Sequence, residues 1–138
     1  MDRRLSTTVG LVVAYARQHL VQHPQEVGGE NRGPWVRLYT QGREGKDSPW
    51  CAGFATFILE QACLAAGAAR QFPKTLACDE LQTCAGARFL PQPKPSQRKR
   101  ITPGSLFLRP NPPGSKVRYA HTGIVVKAET DTFKSIEG

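Results

Sequence analysis

Apolar residues recur at three- and four-residue steps at Leu5, Val9, Val12, Ala16 and Leu20, the repeat of one buried helical face. A helix is expected from about Leu5 to Leu20. It should stop before Pro24, because proline lacks the N–H that a helix needs and restricts the residue before it. Residues 24–49 lose this periodicity. Gly28, Gly29, Asn31, Gly33, Pro34, Gly42, Gly45 and Pro49 divide the stretch into turns, and only Trp35 to Tyr39 reads as a short helical turn. A connection this long with little regular structure is uncommon in a small domain and often lines a site.

After Pro49 the pattern changes to a dense apolar run through Ala52, Phe54, Ala55, Phe57, Ile58, Leu59, Ala62, Leu64, Ala65 and Ala66. This predicts a central helix, buried on more than one side and close to its neighbours where it carries alanine. Pro49 precedes its start and Gly67 suits a left-handed C-cap. A shorter helix is expected over about Leu76 to Ala85, with Leu76, Cys78, Leu81 and Cys84 facing inward. Beyond it the period shortens. Ser105 to Leu108, Tyr119 to Lys127 and Thr132 to Ile136 read as strands, the second centred on the β-branched run Ile124-Val125-Val126. Helices followed by an antiparallel sheet make an α+β arrangement.

Composition narrows the partners. A chain of 138 residues is of one-domain length, and no apolar run approaches the ~20 residues that cross a bilayer, so stable membrane insertion is not expected. Asp2, Arg3 and Arg4 before the run Val9 to Ala16 weakly imitate a signal peptide, but the helical spacing accounts for that segment better, and no clear export signal remains. Nineteen basic against eleven acidic residues give a net charge of +8. The excess is uneven: between Gly86 and Ala120 there is no acid, against Arg88, Lys94, Arg98, Lys99, Arg100, Arg109, Lys116 and Arg118. An acidic partner follows from this. Nucleic acid fits poorly, because Phe89 and Phe107 are the only aromatic residues interleaved with this charge and the stretch matches no common module.

Two residues carry candidate chemistry. Cys51, in Pro49-Trp50-Cys51-Ala52-Gly53-Phe54, falls at the first turn of the central helix, where free N–H groups and the helix dipole favour a thiolate. Its own N–H is a candidate oxyanion donor. A buried cysteine is otherwise an inert small hydrophobe. His121 opens the core strand, and imidazole exchanges protons near neutral pH. Glu137, across the expected hairpin, could accept the second ring N–H and orient the imidazole. Trp50, Gly53 and Tyr119 are candidate substrate contacts: Trp50 as a wall of the cleft or a ring packed beneath it, Gly53 as a point of close peptide approach, Tyr119 as a neighbour of His121. The cysteines show no paired zinc spacing, and a bridge between Cys78 and Cys84 stays open. No cofactor or metal is expected, since Glu44 and Asp47, with Lys46 between them, are too few acids before Cys51 for an oxygen cage.

The ordered blocks Glu26 to Val36, Pro49 to Phe54, Ile101 to Phe107, His121 to Val125 and Ser135 to Gly138 resemble the papain-like CHAP and NlpC/P60 amidase group. The resemblance covers most of the chain. It implies a papain-like fold in a single domain over residues 1–138, and cleavage of an amide bond in the peptide stem of peptidoglycan. Residue by residue it makes Cys51 the nucleophile, His121 the base and Glu137 the orienting group. CHAP-type members continue past the glutamate and glycine into an asparagine and a further strand, so the resemblance also implies that a last strand is missing. Action at the cell wall or periplasm, after synthesis in the cytoplasm, would require a further wall-binding domain or a delivery partner. The alternative is a noncatalytic module of the same fold that binds the wall or another anionic polymer.

Overall fold

The computed structural model describes residues 3–70 and 72–138, with side chains from Thr7 onward. Asp2 and the side chains of Arg3, Arg4 and Leu5 lie outside the described residues. Four helices precede a sheet: α1 (Arg3–Val21), α2 (Pro34–Thr40), α3 (Cys51–Ala66) and α4 (Cys78–Ala85). Short 3-10 turns at Gly86–Arg88 and Pro95–Arg100 lead into β1 (Leu106–Pro110), β2 (Tyr119–Ala128) and β3 (Phe133–Ile136). The strands form one antiparallel sheet in the order β1-β2-β3. The protein is thus α+β, with helices packed on a small three-stranded antiparallel sheet. Among the described residues no helix is long and apolar enough to cross a membrane.

Helix α3 is the hub, lying along α1 on one side and against β2 on another. Its residues Phe54, Ala55, Ile58 and Ala62 join Val12 and Ala16 of α1 and Ile124, Val126 and Ile136 of the sheet in one core. Fully burying a side chain such as Ile58 or Ile124 contributes roughly 1.5–3 kcal/mol. The helix ends where expected, with Gly67 in the left-handed conformation and its N–H bonded to the carbonyls of Cys63 and Leu64.

The buried face of α1 differs from the expected one. Val12 and Ala16 are buried, but Val9 and Leu20 are exposed, and Thr8 and His19 take the inward positions. His19 explains the rotation. Its Nδ1 meets the Tyr39 hydroxyl of α2 at 2.7 Å, and its ring sits among Trp35, Tyr39, Phe54 and Phe57. Burial lowers the pKa of His19, and burial raises that of Tyr39. A polar pair that satisfies itself can occupy a core face that an apolar count assigns elsewhere.

Residues 24–49 hold more structure than the single turn expected, because Pro34 begins a seven-residue helix. Glu44 fastens this segment. It accepts the Gly33 N–H at 3.0 Å and pairs with Arg37 at 2.5 Å and Arg32 at 3.8 Å, and the Gly33 bond leads the interactions that lower its pKa.

Gly53 does not present open space to a substrate, contrary to the reading above. It is buried, and a Cβ there would lie 2.6 Å from the Tyr39 carbonyl oxygen and 2.9 Å from Leu76 Cδ2. Its role is close packing of α3 on α2. Gly53→Ala should therefore destabilise the fold: overpacking costs about 1–3 kcal/mol, which exceeds the gain of up to ~1 kcal/mol in helix propensity. Chemical denaturation should show a lowered midpoint, and a raised midpoint would contradict this packing.

Candidate active site

Cys51 is the first residue of α3, and its N-cap Trp50 supplies no side-chain cap. Cys51 is 6% exposed, in a small cluster with Ala52, Cys78 and Leu81 flanked by Leu106, Leu108 and Tyr119. Its sulfur lies 3.8 Å from that of Cys78, the first residue of α4. The Cys78 thiol is the largest influence on Cys51 and pulls its pKa down to about 5 against the opposing effect of burial. A backbone hydrogen bond from Thr122, and the charge and hydrogen bond of the His121 ring, act in the same direction. Cys78 moves the opposite way, pushed up by its bond to Cys51, by burial and by the charges of Cys51 and Asp79. The proton shared by the pair therefore favours Cys78, which makes Cys51 the more readily ionised of the two thiols.

His121 reaches this group from β2, where it pairs with Arg109 of β1. Its Nε2 meets Glu137 Oε1 at 2.7 Å, which leaves Nδ1 for the cysteine side. Glu137, one residue past β3, also accepts from the Ser135 hydroxyl at 3.2 Å. Gly123 is what lets the carboxylate get there. It sits opposite Phe107 in the sheet, and a Cβ at this position would lie 2.5 Å from Glu137 Cγ and 2.6 Å from Phe107 Cε1. The absent side chain is filled by Glu137 on its way to the imidazole and by the Phe107 ring, whose centroid is 6.0 Å from that of His121.

Two further contacts fix the assembly. Asp79 accepts the backbone N–H groups of Arg118 at 3.0 Å and Tyr119 at 2.9 Å, tying the start of α4 to the start of β2. The Arg118 N–H leads the causes that lower the Asp79 pKa. One carboxylate thus ties the helix that carries Cys78 to the strand that carries His121. Trp50 stacks on Tyr39 with centroids 5.6 Å apart and planes 4° from parallel, and its Nε1 donates to Glu26 at 2.9 Å. Beside it opens a cavity of about 140 Å³ lined by Leu20, His23, Pro24, Gln25, Phe54, Ile136 and Glu137.

Of the residues singled out in the sequence, Cys51, His121 and Glu137 converge, Trp50 lines the adjoining cavity together with Glu137, and Tyr119 flanks the cysteine cluster. Gly53 does not belong to the site. Cys78, Asp79 and Gly123 do, and none was read from the sequence as a site residue. Cys78 is a free thiol beside Cys51, and Cys84 is likewise free, so the bridge left open between these two is absent. Comparison with protein-family models, with curated proteins and with solved structures found no match.

The geometry makes a sharp expectation for Cys78→Ala. Removing the main donor to the Cys51 thiolate should move the inflection of Cys51 alkylation upward, from about 5 toward the ~8.5 of an ordinary thiol. Rates of iodoacetamide labelling across pH read this directly. An unchanged inflection would mean that the thiolate owes nothing to Cys78.

Proposed function

We propose that this protein is a cysteine-dependent amide hydrolase of papain-like fold that cleaves the peptide stem of peptidoglycan. The observation that carries the reading is the convergence of a helix-borne thiol whose pKa is lowered, a strand-borne imidazole and a carboxylate hydrogen-bonded to that imidazole. Cys51 attacks the amide carbonyl, and the oxyanion is met by the Cys51 N–H at the start of α3. Protonated His121 gives its proton to the leaving amine as the C–N bond breaks, producing a thioester on Cys51. His121 then takes a proton from water, which attacks the thioester and returns Cys51 to the thiolate. Glu137 holds the imidazole in the tautomer and orientation this requires. The resemblance of the sequence blocks to the CHAP and NlpC/P60 group supports the wall peptide as substrate, and the positive charge of the chain suits an anionic polymer. Incubation with purified peptidoglycan should release new amino groups and no new reducing sugar ends. Reducing ends without amines would reject amide chemistry.

A further inference from the structure

The hydrolytic cycle uses one thiol, yet Cys51 has a second at 3.8 Å. The other two cysteines are not placed to compete. Cys63 lies twelve residues along α3 from Cys51, about 18 Å at 1.5 Å per residue, and Cys84 lies six residues along α4 from Cys78, about 9 Å. Cys51 and Cys78 are each the first residue of a helix, and α4 is held in place by the Asp79 bonds to β2. A disulfide needs the sulfurs at about 2.05 Å, so roughly 1.8 Å of closure by rotation of the two side chains would join them.

We propose that Cys51 and Cys78 form a reversible disulfide in response to a hydroperoxide, and that this disulfide switches the site off. The Cys51 thiolate attacks the terminal hydroxyl oxygen of the peroxide and the O–O bond breaks, giving a sulfenic acid and releasing the other oxygen as hydroxide from hydrogen peroxide or as alkoxide from an organic hydroperoxide, with sulfur oxidised and peroxide reduced. The Cys78 sulfur then displaces the sulfenic oxygen, which leaves as water with the Cys78 proton, and the S–S bond forms. The order of events favours the second step. Oxidation of Cys51 removes the hydrogen bond to its sulfur and the neighbouring negative charge that, with burial, keep Cys78 protonated. A dithiol reductant restores both thiols. Cys78 thereby diverts Cys51 from the irreversible sulfinic state. The disulfide rests on the two thiols alone, while its effect as a switch rests on the amide-hydrolase reading above.

The test is titration of the reduced full chain with hydrogen peroxide, followed by blocking of free thiols, digestion without reduction and mass spectrometry. Trypsin places Cys51 and Cys63 in Asp47–Arg70, and Cys78 and Cys84 in Thr75–Arg88, so fragment ions must assign the bond. The expected product joins Cys51 to Cys78 and disappears with dithiothreitol. Cys78→Ser and Cys78→Ala should both instead accumulate dimedone-reactive sulfenic acid at Cys51 and then its sulfinic acid. Oxidation of wild-type Cys51 to the sulfinic acid without a link to Cys78, or a link through Cys63 or Cys84, overturns the proposal. Amine release from peptidoglycan should be lost in the disulfide form and return on reduction. Equal release by the disulfide form overturns the switch. A disulfide that forms in a protein inactive in both states upholds the thiol pair and rejects the hydrolase reading instead.

Discussion

Cys51→Ser is expected to lower kcat/KM on a stem peptide by about 10³-fold or more while the protein stays folded. The substitution keeps the shape of the nucleophile and removes its chemistry. The donors around position 51, with Cys78 foremost, stabilise a sulfur anion. A serine hydroxyl ionises far less readily, so the same donors leave it neutral at pH 7. The folded state has little reason to suffer, because a hydroxyl can bond the Cys78 thiol and the Thr122 backbone, and a stability change of about 1 kcal/mol is expected. Steady-state kinetics alongside thermal melting separates the two effects. A serine variant within tenfold of wild type would exclude Cys51 as nucleophile.

The second large effect is at His121. Alanine there should reduce turnover by about 10²–10⁴-fold, the usual contribution of a positioned acid and base, since the leaving amine and the attacking water lose their proton partner. The thiolate should survive this change. The ring is a lesser influence on Cys51 than Cys78, so His121→Ala should still be alkylated at Cys51 well below the ordinary thiol range. Paired measurement of turnover and alkylation across pH tests this. Loss of both together would make His121 the source of the thiolate and reduce Cys78 to a bystander.

Much of the frame is legible in the sequence because its signals are local. The apolar run with Pro49 before it and Gly67 after it marks α3, and β-branching marks β2. The pairing of His121 with Glu137 also follows from local reasoning, given a strand start and a hairpin, whereas the joining of Cys51 to them is what the resemblance to the CHAP and NlpC/P60 group implies. What the sequence does not reveal depends on contacts between distant segments. Cys78 is 27 residues from Cys51 and meets it where α4 packs through Leu81 on Ala52 and the sheet and where Asp79 anchors α4 to the N–H groups of Arg118 and Tyr119. Gly123 reads as an ordinary strand glycine until Glu137 and Phe107 are seen to fill its missing side chain. Gly53 lies beside the cysteine, yet its neighbours are Tyr39 and Leu76. The rotated face of α1 has the same origin, since a hydrogen bond to Tyr39 lets His19 be buried while Leu20 is not.

If Cys51 breaks an amide bond in wall peptide, its removal must separate binding from release on the natural polymer. Wild type and Cys51→Ala are incubated at equal concentration with purified peptidoglycan, and both released amino groups and bound protein are measured. Wild type should liberate amines while the alanine variant binds the walls and liberates none. Equal release by the two proteins would contradict it, and so would wall binding by wild type with no amines released, the behaviour of a noncatalytic wall-binding module.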